Sequence, residues 1–198
     1  MKKNTEILKS GFEDDLRNSL GTLKKGGIIL YPTDTVWGIG CDATNPRAVS
    51  RIFTIKQRKE SKSLITLVDG ITMLERYVSE IPSIAYDLIE VSDSPLTIIY
   101  PAGKSLAPGV YDEDGSVGIR ICSEEFCAEL IKRFRKPLIS TSANKSGQPF
   151  PADFSEIDEE LTGEIDYIVK YRQNDRRKYS PSPVIKINKN GVFEIIRM

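Results

Sequence analysis

The chain has 198 residues, 28 Lys plus Arg against 28 Asp plus Glu, and no histidine. Its length suits one domain spanning 1–198, and a 39% hydrophobic content is enough to bury a core. Neutral net charge argues against a nucleic-acid coat, the lack of histidine removes both the usual near-neutral base and any His-bearing zinc site, and three cysteines cannot make a Cys₄ site. No apolar run reaches the length of a membrane span, and the start, MKKNTEILKSGFEDD, lacks the apolar core of a secretory signal. The odd cysteine count (Cys41, Cys122, Cys127) points to a reducing cytoplasm.

Phe12, Leu16, Leu20 and Leu23 recur at helical spacing. Glu13, Asp14 and Asp15 are expected to open that helix, Lys24 and Lys25 to close it, and Gly26 and Gly27 to stop it. A buried strand at 28–31 follows, then a loop, PTDTVWGIGCDAT. Asn45 as N-cap and Pro46 at the first helical position begin a helix with Val49, Ile52 and Phe53 on its apolar face, ending near Ile55. Strands are expected at 64–68, 96–100, 116–121, 137–140 and 167–170, with helices after Pro82, around Phe126–Leu130–Phe134, and, more weakly, within 153–161. A polar loop spans 173–183, and VIKI, NKNG and VFEIIR form a terminal hairpin. Interleaved helices and strands with a final hairpin predict a layered α/β fold around a mixed sheet.

GIGCDA at 38–43 matches the dinucleotide fingerprint, but the preceding strand ends several residues too early for it. Lys56, Arg58, Lys59 and Lys62 crowd one short stretch, either as a solvated helix end or as an anion site. An anion site needs hydroxyls nearby, and strand ends offer them in PTDT, in Ser116 and Arg120 of SVGIR, and in TSAN. Taken by itself, STSANKSG reads first as a Ser/Asn-rich turn that satisfies its own backbone and second as part of such a site. Asp34 reads first as a cap for its turn and second as a water-mediated metal contact, and the other carboxylate pairs, including Asp14/Asp15 and Glu124/Glu125, read as surface.

Taken in order, GGIILYPTDTVWGIGCDA, IFTIKQRKESKSLITLV, VGIRI, KPLISTSANKSGQP and SPSPVIKI…IIR resemble the YrdC-type L-threonylcarbamoyladenylate synthases, including the paired signature K-x-R … S-x-N at Lys56, Arg58, Ser142 and Asn144. The resemblance implies a three-layer α/β domain with a twisted, mixed open sheet and a basic cavity. It implies a nucleotidyltransferase that makes threonylcarbamoyl-AMP and pyrophosphate from L-threonine, bicarbonate or CO₂, and ATP carried with Mg²⁺. The product would pass to proteins that modify tRNA, and tRNA or double-stranded RNA is a further ligand class.

Site roles follow from the same resemblance. Lys56, Arg58, Ser142 and Asn144 are the expected catalytic set; with Lys62, Ser116 and Arg197 they are also expected to hold ATP. Thr35, Arg120, Ser140 and Ser182 are expected to hold threonine. No residue is expected to hold a metal of its own. The chain departs from the family pattern at Leu67, Cys122, Glu124, Phe150 and Pro183, which bears on the threonine pocket more than on the ATP site. A YciO-like paralogue, binding RNA or nucleotide without full synthase activity, is the alternative.

Overall fold

A computed structural model describes residues 2–57 and 64–198, with backbone alone for 2–10. The first helix, α1 (Lys2–Lys24), starts well before the expected acidic opening, because no proline interrupts the stretch. Asp15 therefore lies within the helix and is 2% exposed, accepting from the Tyr167 hydroxyl at 2.6 Å and the Tyr171 N–H at 2.7 Å. Its reading as a surface carboxylate is overturned by that buried cap. The helix ends as expected, with Lys24 in the last turn and Gly26 at φ 78°.

Strand β1 (Ile29–Tyr31) is followed by β2 (Gly38–Gly40), a short strand inside the expected loop. GIG forms a strand because only glycine fits there. A Cβ on Gly40 would lie 2.3 Å from the Ile139 carbonyl, and one on Gly38 would lie 2.7 Å from the Ser140 hydroxyl. These glycines let strands and the Tyr31 ring approach; the next helix starts only at Pro46, too far on to open from a dinucleotide-binding glycine turn.

Helix α2 (Pro46–Lys56) is capped as read, with Asn45 Oδ1 accepting from the N–H groups of Arg47 and Ala48 at 3.0 and 3.3 Å. Then come β3 (Ile65–Val68), an unanticipated α3 (Ile71–Tyr77), α4 (Ser83–Val91), β4 (Thr97–Tyr100), β5 (Val117–Ile121) and α5 (Glu125–Phe134). Strand β6 (Leu138–Ser142) runs two residues beyond expectation because its far end pairs with β2, Thr141 opposite Ile39 and Ser142 opposite Gly38. The weak helix resolves into a 3₁₀ turn at Phe154–Glu156 and α6 (Glu159–Gly163). Strand β7 (Tyr167–Ile168) is short because the N–H groups of Lys170 and Tyr171 turn to Asp15. The chain closes with the hairpin β8 (Val184–Ile187) and β9 (Phe193–Arg197).

These strands form one sheet in the order β7-β1-β2-β6-β3-β5-β4-β8-β9. It is mixed: β1/β7, β3/β5 and β4/β8 are parallel and the remaining pairs antiparallel. The apolar stripe of α5 (Phe126, Leu130, Ile131, Phe134) is buried, and α5 packs on α1 and β3.

Cross-strand partners share a face, so the register places Gly38, Ser142, Ser140, Ile65, Gly118 and Arg120 on one side of the sheet. Glycines and small hydroxyl residues keep that face low, leaving room for a ligand.

Replacing Asn45 by Ala should lower the unfolding free energy by about 1 kcal/mol with an unchanged denaturant m-value, measured by urea titration. Gly40→Ala should cost more, about 1–3 kcal/mol, since its Cβ meets backbone that cannot yield locally.

Candidate active site

A cavity of about 290 Å³ lies over that low face. Its polar wall includes Thr35, Arg120, Ser140, Ser142, Ser182 and Arg197. Residues from the β1 exit, β5, β6, the polar loop and β9 thus meet at one place, as ligand sites at strand ends do.

Arg120 occupies one end, 4% exposed. It forms an ion pair with Asp34 at 3.0 Å and donates to the hydroxyls of Thr35 at 3.1 Å and Ser182 at 3.3 Å. Ser182 shares a further 2.7 Å hydrogen bond with Thr97, and Thr35 one of 3.0 Å with Thr33. The Nε of Arg120 has no hydrogen-bond partner among the described residues. Leu67, its cross-strand neighbour, brings no acceptor and is fully buried.

Arg197 donates twice to the Ser182 carbonyl, at 2.7 and 3.1 Å. Burial, and then the charge of Arg120, lower its pKa from the ordinary arginine value. Two guanidiniums therefore face one polar cavity, the arrangement that carboxylates and phosphates seek.

The K-x-R … S-x-N signature is physically joined at Lys56. Its ammonium is 2% exposed and donates to the carbonyls of Ser142 and Asn144 and, at 2.8 Å, to Asn144 Oδ1. Ser142 Oγ donates to the same Oδ1 at 2.6 Å, and Asn144 Nδ2 donates to the Gln148 carbonyl at 2.5 Å. Ser142 and Asn144 line the cavity, whereas Lys56 stands behind them as the group that holds their loop. Lys56 is expected to face the phosphates, and its ammonium also donates to acceptors on the Ser142–Asn144 segment. Arg58 and Lys62 lie outside the described residues.

Thr35, Arg120, Ser140, Ser142, Asn144, Ser182 and Arg197 come together as expected. Ser116 does not join them on the cavity wall: it is buried, and its N–H and hydroxyl turn to Asp114 at 2.9 Å and Asp112 at 3.4 Å.

The sequence reading missed the role of Asp34, whose signal was its place just after an apolar strand. It missed Thr97, which no local pattern marks. It also placed Glu124 at the surface. That carboxylate caps α5, accepting from Cys127 N–H at 2.8 Å, and pairs with Arg172 at 3.1 Å. Burial pushes its pKa up from the ordinary value, against the pull of both donors. Arg172 in turn donates to the Thr33 carbonyl at 3.3 Å and lies over the Tyr179 ring, tying the polar loop to the PTDT segment.

The Sua5/YciO/YrdC family model, described as telomere recombination, matches residues 21–198. A threonylcarbamoyl-AMP synthase of Vibrio cholerae serotype O1 is 34% identical over 174 residues, spanning 86% of this chain and 92% of its own. One from Pseudoalteromonas translucida is 35% identical over 150 residues, 74% of this chain and 80% of its own. Among solved structures, P. abyssi Sua5 complexed with L-threonine aligns with a TM-score of 0.75 at 29% identity over 87% of this chain. This chain spans 50% of that longer protein. E. coli YciO aligns with a TM-score of 0.79 over 92% of this chain and 87% of its own, and at 22% identity it shares the fold alone. By the extent of the family match and the identity to curated relatives, the chain belongs to the Sua5/YciO/YrdC family.

Proposed function

We propose that this chain is a threonylcarbamoyl-AMP synthase, a nucleotidyltransferase acting as one domain on L-threonine, bicarbonate or CO₂, and ATP. The observation that carries the reading is the meeting of Arg120 and Arg197 with the Lys56-braced Ser142–Asn144 segment in one cavity. The relatives named as threonylcarbamoyl-AMP synthases support it, as does the P. abyssi Sua5 complex with L-threonine.

In the reaction the threonine amine adds to CO₂ and forms a carbamate. A carbamate oxygen then attacks the α-phosphorus of ATP as its bond to the β-phosphate oxygen breaks, and pyrophosphate leaves. Positioning and charge stabilisation dominate such a transfer. In this reading Arg120 holds the threonine carboxylate or the carbamate, with Thr35, Ser140 and Ser182 for the rest of threonine. Ser142 and Asn144 hold phosphate oxygens, Lys56, Arg58 and Lys62 are the phosphate cations, and Arg197 meets the nucleotide. For Ser116 we keep a nucleotide role that requires it to exchange its aspartate contacts.

Among the described residues, the cavity wall carries hydroxyl and carbonyl oxygens but no carboxylate, and no three His, Cys, Asp or Glu cluster as metal ligands. We therefore write Mg²⁺ as part of the Mg·ATP substrate, hydrated and held mainly by its phosphates. None of the described helices is long and apolar enough to cross a membrane. The cytoplasmic reading rests on the three cysteines, an odd count that cannot pair evenly. The proposed partners of the product are tRNA threonylcarbamoyl-transfer proteins, and direct tRNA binding belongs to the same reading.

Pyrophosphate release should require threonine, bicarbonate and ATP together. Arg58→Ala and Lys56→Ala should each lower kcat/KM tenfold or more, as loss of a charged hydrogen bond of about 1.5–3 kcal/mol predicts. Turnover without threonine, or unchanged rates in both variants, would sink the assignment.

Asp34→Asn removes the carboxylate that pairs with Arg120. Its KM for threonine should rise about fivefold or more while its KM for ATP stays within twofold, read from initial rates with each substrate varied.

A further inference from the structure

Phe150 is an exposed aromatic on the wall of a mixed cavity, where hydroxyls and guanidiniums stand beside Val36, Trp37 and Ile65. It is 42% exposed, whereas Trp37, another aromatic of the same wall, is 6% exposed and has its ring 4.9 Å from that of Phe154. Trp37 is therefore committed to packing, whereas Phe150 keeps accessible surface at the cavity.

The local sequence holds that ring in place. Phe150 stands between Pro149 and Pro151, so its own backbone is confined to extended conformations and both flanks have fixed φ. Two residues upstream, the Gln148 carbonyl accepts from Asn144 Nδ2 at 2.5 Å. The loop bearing Phe150 is thus pinned to the same asparagine that Lys56 braces.

The substrates of the proposed reaction differ in what they can offer an aromatic face. Bicarbonate offers nothing apolar and threonine only a methyl group. ATP alone carries a large flat π-system, and stacking on an aromatic side chain is the usual way proteins hold a nucleobase. Arg120 and Arg197 meet anions, and the Ser142–Asn144 segment offers hydroxyl and amide groups, which leaves Phe150 for the base.

We propose that Phe150 is the stacking platform for the adenine of ATP, held ready by its two flanking prolines and by the Asn144–Gln148 hydrogen bond. The assignment rests on the synthase reading for the identity of the nucleotide, but it can be tested without turnover.

Calorimetric binding of α,β-methylene-ATP separates the two, with inorganic tripolyphosphate as a probe that has charge but no base. Phe150→Ala should weaken α,β-methylene-ATP about tenfold and leave tripolyphosphate within twofold of the parent. Phe150→Leu should resemble Phe150→Ala, and Phe150→Trp should restore parent affinity. Nucleotide affinity unchanged in Phe150→Ala, or an equal loss for both probes, would overturn the platform. A parent chain that binds the analogue, shows this base-dependent loss, and yet releases no pyrophosphate from ATP would overturn the synthase reading and leave the platform standing.

Discussion

The ammonium of Lys56 is the constraint on which the site depends. It ends α2, is 2% exposed, and could not be buried without acceptors to replace water. The acceptors come from Ser142 and Asn144, the nearer of which is 86 residues away in sequence. The Lys56 carbonyl returns the tie by accepting from Ser146 N–H at 3.0 Å. The segment leaving β6 therefore has to fold back over the end of α2, and in doing so it presents Ser142, Asn144 and Gln148 to the cavity. Lys56, Ser142 and Asn144 of the family signature are thus one hydrogen-bonded object written in two distant pieces of sequence.

The sheet register supplies the opposite wall. A central strand such as β5 is normally apolar on both faces, and Arg120 breaks that rule at its fourth residue. Asp34 balances part of its charge, and the hydroxyls of Thr35 and Ser182 orient the guanidinium. Arg197 is matched to a carbonyl, so its charge is directed without being cancelled by a carboxylate there. The cavity keeps a positive bias in a setting drier than bulk water, where fixed charge acts most strongly.

Much of this was legible along the chain. The caps of α2, the stripe of α5 and the terminal hairpin each rest on local chemistry that neighbouring residues complete. The failures share a different cause. Strand β2 is glycine, isoleucine and glycine, a pattern whose two glycines weaken its strand propensity, and it exists because β1 and β6 accept it between them. The last residues of β6 went unread for the same reason, since their partner was β2. Asp15 and Glu124 looked like surface charge because the groups that bury them come from beyond β7, far along the chain. The gathering of Arg120, Ser140 and Ser142 on one face could be inferred from motif order only by resemblance. The register now gives the physical reason, which is that β3 pairs with both β5 and β6.

The histidine-free composition fits the proposed chemistry better than it first appears. An amine must be uncharged to attack CO₂, and a base near neutrality is the common means of making it so. Fixed positive charge does the same thing without a base, because a like charge disfavours the ammonium form and lowers its pKa. Burial and the charge of Arg120 both lower the pKa of Arg197, so the two guanidiniums share one positively biased cavity. The carbamate that then forms is an anion, and the same guanidiniums favour it. On the proposed reading, permanent cations hold the carbamate, and the protons released as the amine adds to CO₂ pass to solvent water.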